Sequence, residues 1–139
     1  FLDNNFTKEE MKLTWETQKI LDASIQVQAT CVRVPVFNGH SEAVFFKVSE
    51  EISREEIIQI LDRTPGLKVL DDPSSGDYPT PFENATDTED VYVGRIRSQS
   101  LDDDCWISMW IVADNVYGKG AALNAVQICE ELLNVGSVK

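Results

Sequence analysis

The spacing of apolar and polar residues changes period several times along this chain, and each change predicts an element. Thr7-Lys8-Glu9-Glu10 is a capping box, in which the Thr7 hydroxyl accepts from the third helical N–H and Glu10 reaches back. It predicts a helix to about Leu21, with Met11, Leu13, Trp15, Ile20 and Leu21 only partly periodic. Ile25 to Val36 is rich in valine, isoleucine and threonine and reads as a strand. Asn38-Gly39 is a two-residue turn signal, and Ser41 to Val48 reads as the returning strand. A tight turn would pair Phe37 with His40 and Val36 with Ser41. Period-two counting then places Arg33, Pro35, Phe37, His40 and Glu42 on one face, and Val32, Val34, Val36, Ala43 and Phe45 on the core face.

Beyond the hairpin, Ser53-Arg54-Glu55-Glu56 is a second capping box opening a helix to about Asp62, which Thr64-Pro65-Gly66 stops. Leu67 to Leu70 is a short strand. Asp71 to Asp90, rich in proline, serine and acid, predicts an irregular surface excursion. Val91 to Ile96 and Cys105 to Ala113 are strands joined by the polar loop Ser98 to Asp104, and Gly120 to Leu133 is a helix apolar around most of its circumference. The order α-β-β-α-β-β-β-α predicts an α+β domain, a mostly antiparallel or mixed sheet with helices packed on one face.

A length of 139 residues suits one core, and no apolar run approaches the roughly 20 residues a membrane-spanning helix needs. No basic-then-apolar leader is present, which favours a cytoplasmic protein. Twelve basic against twenty-four acidic residues give a net charge of −12, which argues against a nucleic-acid partner and makes any local cation stand out as an anion holder. The three cysteines, Cys31, Cys105 and Cys129, match no disulfide framework or metal spacing and read as buried, reduced thiols. One histidine among scattered acids makes no metal site.

His40 is the only histidine, and hence the natural proton carrier; the plain alternative is a histidine capping a surface turn. Arg33, in the middle of an apolar pattern, suits bidentate capture of a carboxylate or phosphate, against a simple salt bridge to Glu42. Glu16 and Lys19 share one helical face, where they either hold a zwitterion or form an ordinary solvated pair. Gly118-Lys119-Gly120-Ala121-Ala122 could offer backbone N–H groups to an anion. Neither a G-x-G-x-x-G nor a P-loop is present.

The stretch Cys31-Val32-Arg33-Val34-Pro35-Val36-Phe37-Asn38-Gly39-His40-Ser41-Glu42-Ala43 resembles the active-site segment of bacterial aspartate-semialdehyde dehydrogenases. Thr7 to Lys12 with Trp15 to Leu21 resembles the preceding helix of that family, and Asp114-Asn115 with Gly120 to Ile128 resembles its C-terminal helix. The resemblance implies a catalytic and dimerisation domain of the glyceraldehyde-phosphate-dehydrogenase-like C-terminal type. It implies that residues 1–113 are the later part of that domain. Residues 114–139 would then carry a C-terminal helix that packs on an N-terminal cofactor domain.

Such enzymes reduce aspartyl 4-phosphate to aspartate 4-semialdehyde with NADPH, releasing phosphate, through a cysteine thioester, on the route to lysine, threonine and methionine. By the same match His40 is the acid/base, Arg33 binds the α-carboxylate, Glu16 the amino group and Lys19 the phosphate. Asn115 is the match to the residue touching the nicotinamide end of NADP. A homodimer or homotetramer is implied. Two departures stand out. Neither the family's Ser-Asn-x-x-Cys turn nor its cofactor domain is in this chain, so the chain alone is expected to be inactive. Asp114 to Gly120 also carries one residue more than the family spacing. The rival class is a non-enzymatic amino-acid-binding, anion-binding or subunit-interaction module.

Overall fold

The computed structural model describes residues 1–118 and 121–134. The chain forms two compact units, Phe1–Pro35 and a second beginning at Val36. In the first, α1 spans Lys8–Ile20 and starts at the predicted capping box. The Thr7 hydroxyl accepts the Glu10 N–H at 3.2 Å, and Glu10 Oε2 accepts the Thr7 N–H at 2.7 Å. Glu10 is buried, and its other oxygen accepts the Cys31 N–H at 2.9 Å. One turn on, the Thr14 hydroxyl donates to the Val27 carbonyl, and one turn further the Gln18 amide donates to the Ile25 carbonyl. Glu10, Thr14 and Gln18 are four apart and form one stripe along the helix. They bind successive backbone groups of a segment running back along it.

That stripe explains a departure from the expected strand at Ile25 to Val36. Backbone groups must find partners, and here several of them find side chains of α1 rather than a sheet ladder. No strand forms over residues 25–36. Val32, Val34, Val36, Ala43 and Phe45, expected on a core face, are exposed, as is Phe37. The hairpin at Asn38-Gly39 is also absent. Gly39 does adopt the left-handed φ of 101° that such signals supply, but for a different purpose: a Cβ there would lie 2.4 Å from the Ala85 Cβ. The missing side chain admits Ala85, so the turn signal marks a close approach. Phe37 is therefore not paired with His40, and Arg33, outside any strand, shares no strand face with His40.

The second unit contains β1 (His40–Val48), α2 (Arg54–Asp62), β2 (Leu67–Val69), α3 (Pro81–Asn84), β3 (Val91–Leu101), β4 (Asp104–Ala113) and α4 (Ala122–Asn134). The strands lie in the order β1-β4-β3-β2, with β2 parallel to β3 and the other pairs antiparallel. The mixed sheet with helices is the α+β class the sequence predicts. The β3–β4 hairpin is tighter than expected. It turns at Asp102 and Asp103, whose φ values of 49° and 65° are those of a primed two-residue turn. The excursion after β2 contains one short helix, α3, opened by Thr80 as N-cap and Pro81 in its first turn.

One core forms where Ile57 of α2 meets Val93, Ile96 and Ile107, with Val48, Ile52, Ile58, Leu61, Val69, Met109 and Ile111 packed around them. Ile107, Met109 and Ile111 alternate along β4 and so share that face. The intervening positions belong to the other face. There Val112 is fully buried, and the Trp110 indole donates to the Pro79 carbonyl at 2.9 Å. Of the cysteines only Cys105 is buried; Cys31 and Cys129 are exposed, contrary to expectation, because neither lies in a packed layer. Among the described residues no helix is long and apolar enough to cross a membrane.

A bulge interrupts β3 between Gly94 and Arg97, with Arg95 at a left-handed φ of 55°. It strips two N–H groups from the ladder. Asp71, its side chain 4% exposed, collects both: Arg95 N–H at 2.7 Å and Ile96 N–H at 3.0 Å. Arg54 from the first turn of α2 pairs with the same carboxylate at 2.8 Å and also donates to the carbonyls of Ile96 and Asp71. Removing this carboxylate leaves two amides without partners and the Arg54 guanidinium without its counter-charge. We expect Asp71→Ala to cost about 3 kcal/mol or more in denaturant unfolding followed by tryptophan fluorescence. Lys47→Ala, which breaks only the exposed Lys47–Asp104 pair, should leave the midpoint nearly unchanged.

Candidate active site

The one histidine stands at the end of the sheet. His40 is the first residue of β1 and pairs with Ala113, the last of β4. Asn115 follows two residues later, so strand pairing brings His40 and the turn bearing Asn115 to the same end of the sheet. Both side chains are exposed. His40 Nε2 lies 2.7 Å from Glu42 Oε1. Glu42, which the sequence offered as a partner for Arg33, is thus the partner of His40. The signal was legible: positions i and i+2 of a strand share a face.

The turn carrying Asn115 is built on Asp114. That carboxylate is 5% exposed and accepts three backbone N–H groups, from Val116 and Tyr117 at 2.8 Å each and from Asp87 at 2.9 Å. The Tyr117 N–H does most to hold the Asp114 carboxyl below the ordinary aspartate range; Val116, Asp87 and Gly118 add to it, and burial opposes it. Gly118 closes the turn. A Cβ there would sit 2.6 Å from the Thr88 carbonyl oxygen and 2.9 Å from that of Asp114. Backbone lies on both sides, so only glycine fits. Asp114 was visible in the sequence only as the neighbour of Asn115; a buried carboxylate that ties two loops leaves no periodic trace.

Glu16, Lys19 and Arg33 belong to the first unit, where all three are exposed. Among the described residues none of the three takes part in an ion pair or hydrogen bond, so each charged head is available. Glu16 and Lys19 lie on the side of α1 turned away from the Glu10–Thr14–Gln18 stripe. Arg33 follows two residues after Cys31, whose N–H is anchored on Glu10. Of the glycine-rich approach to the last helix, Lys119 and Gly120 lie outside the described residues, and with them the extra residue before Gly120. Among the described residues no group of three or more potential ligands is placed to hold a metal ion.

A four-stranded mixed sheet with helices, carrying the histidine and a carboxylate-braced turn at one end, defines an α+β domain. The chain belongs to the semialdehyde dehydrogenase dimerisation-domain family, which matches residues 1–117. It is 50% identical over 133 residues to an aspartate-semialdehyde dehydrogenase of Legionella pneumophila, a match that takes in 95% of this chain and 38% of the relative. The solved structure of aspartate semialdehyde dehydrogenase II from Vibrio cholerae, also solved complexed with ASA, superposes with a TM-score of 0.87 at 48% identity, over 96% of this chain and 39% of that one. The enzyme from Candida albicans, solved with NADP, superposes with a TM-score of 0.72 at 31% identity, over 91% of this chain and 42% of that one. The chain thus spans about two fifths of the length of these relatives.

Ionised Asp114 stabilises the turn, because its carboxyl is held below the ordinary value. Its contribution is complete above the unfolded pKa of about 4 and is lost as pH falls through the lower folded value. Protection of the Val116 and Tyr117 amides against hydrogen exchange, relative to the intrinsic rate, should therefore fall below about pH 4, and Asp114→Ala should show that lower protection already at about pH 7. Gly118→Ala should cost about 1–3 kcal/mol by thermal unfolding, since backbone must move to admit the methyl group.

Proposed function

We propose that this chain is the C-terminal, subunit-forming portion of an NADP-dependent aspartate-semialdehyde dehydrogenase, a cytoplasmic enzyme of amino-acid biosynthesis. The observation that carries the reading is the meeting of the only histidine and the braced Asn115 turn at one end of the sheet, in a chain of this family. In the intact enzyme Arg33 takes the substrate's α-carboxylate through two parallel hydrogen bonds, and Glu16 takes its ammonium group. Lys19 holds the phosphate as a point charge. Fixing both charged ends orients the acyl group before any bond changes. His40 gives and takes the protons.

Asn115 fits a carboxamide-bearing cofactor, because its exposed side-chain amide offers both a donor and an acceptor on a turn held still by Asp114. NADP, when bound, supplies or accepts hydride. Residues 1–113 form the later part of the catalytic and dimerisation domain. Two features support the division of the rest. Val126, Ile128, Leu132 and Leu133 of α4 are exposed, as a helix destined to pack on a cofactor domain would leave them in an isolated chain. Phe45 and Trp106 are exposed on β1 and β4, where a second subunit would cover them in a homodimer or homotetramer.

The test is a chimera in which this chain replaces the matching portion of the Legionella pneumophila relative. It should catalyse phosphate-dependent oxidation of aspartate semialdehyde with NADP, while the chain alone does not. In the chimera His40→Ala should lower kcat by about 10²–10⁴-fold. Arg33→Lys should lower kcat/KM at least tenfold, since an ammonium cannot replace the guanidinium fork. A folded chimera without turnover would overturn the reading.

A further inference from the structure

A histidine that moves protons has two ring nitrogens, and the one that reacts depends on which is already engaged. His40 Nε2 lies 2.7 Å from Glu42 Oε1. An ionised carboxylate only accepts hydrogen bonds, so the proton of this pair sits on Nε2. In the neutral ring Nδ1 is then the bare nitrogen. We propose that Glu42 is the positioning residue of His40, holding the ring by Nε2 so that Nδ1 is the atom that takes and returns protons. This rests on the proton-carrying role of His40 proposed above.

The surroundings make the contact specific. Both residues lie on β1, whose backbone is laddered to β4 from His40 to Val48, so the spacing of the two side chains is set by the sheet. Their cross-strand neighbours are Ala113 and Ile111, neither of which offers a polar side chain. Among the described residues no other side chain hydrogen-bonds to either partner. Both members are exposed, the His40 and Glu42 side chains by 59% and 45%, so the pair adds little to stability. Its use is orientation. When Nδ1 accepts a proton the ring becomes imidazolium and its Nε2–H remains on the carboxylate. When Nδ1 gives the proton up, the same tautomer returns, with no ring flip between the two halves of a turnover.

Because the chain has a single histidine, ring ¹⁵N spectra are free of overlap. At alkaline pH the unsubstituted chain should show essentially one neutral tautomer, protonated at Nε2. Glu42→Ala should give a mixture, and Glu42→Gln, which keeps an acceptor oxygen, should restore the single form. In the chimeric enzyme Glu42→Ala should lower kcat about tenfold with KM within twofold, and Glu42→Gln should recover most of that loss. Circular dichroism on each variant establishes that the fold is intact. A ring protonated mainly at Nδ1, an unchanged spectrum in Glu42→Ala, or a kcat within twofold of the parent would each overturn the proposal. An inactive parent chimera would instead overturn the enzymatic reading, while the ¹⁵N spectra still decide the tautomer.

Discussion

The bulge in β3 exists because Asp71 is where it is. A non-glycine residue at a left-handed φ costs about 1–3 kcal/mol, and two ladder amides lose their partners at the same place. Asp71 returns both hydrogen bonds with a charged acceptor, and Arg54 neutralises the charge. The consequences spread outward. Leu70, just before Asp71, still bonds the Val93 carbonyl and extends the parallel pairing of β2 with β3. Arg54 belongs to the first turn of α2, so the same interaction fixes where Ile57 enters the core. Helix, bulge and edge strand are thus referred to one carboxylate.

The same device recurs twice. Glu10 uses one oxygen for its own helix cap and the other for the Cys31 amide, and Asp114 gathers three amides from two loops. In a chain with net charge −12, buried anions would be expected to repel one another and destabilise the fold. They do the opposite here because each is spent on backbone N–H groups, which an acceptor-only side chain satisfies two or three at a time. Depressed carboxyl pKa values follow from the same contacts, at Glu10 led by the Thr7 N–H and at Asp114 by the Tyr117 N–H. Irregular segments of this protein are therefore ordered by acids rather than by apolar burial.

That explains which parts were legible in the sequence. Both long N-terminal helices announced themselves through capping boxes at Thr7 and Ser53, because a cap is a local signal. The strands β1, β3 and β4 were legible through β-branched and aromatic runs. The stretch from Ile25 to Val36 was misread because its composition is that of a strand while its backbone partners lie on α1, which no local pattern records. Asn38-Gly39 was misread for the converse reason: the positive φ was correctly signalled, but what needed it was the approach of Ala85, more than forty residues away in sequence. Of the proposed site residues, His40 and Asn115 could be named from residue type and motif. Their shared end of the sheet could not, since it depends on β1 pairing with β4 rather than with the preceding segment.

This change of partner alters the physical character of the site. A histidine in a two-residue hairpin turn would move with the turn. Placed as the first residue of an edge strand, His40 has its backbone held by β4 while its side chain stands exposed at the rim, paired with Glu42. The neighbouring turn gains the same combination from Asp114, rigid in the main chain and open at Asn115. Preorganised groups accelerate a reaction because their dipoles and lone pairs need not be reoriented as charge develops. An edge strand is usually a liability, presenting unpaired backbone to solvent. Under the proposed role, the edge is the position that lets a rigid main chain present the His40 ring, held on one side by Glu42, to the rest of an active site.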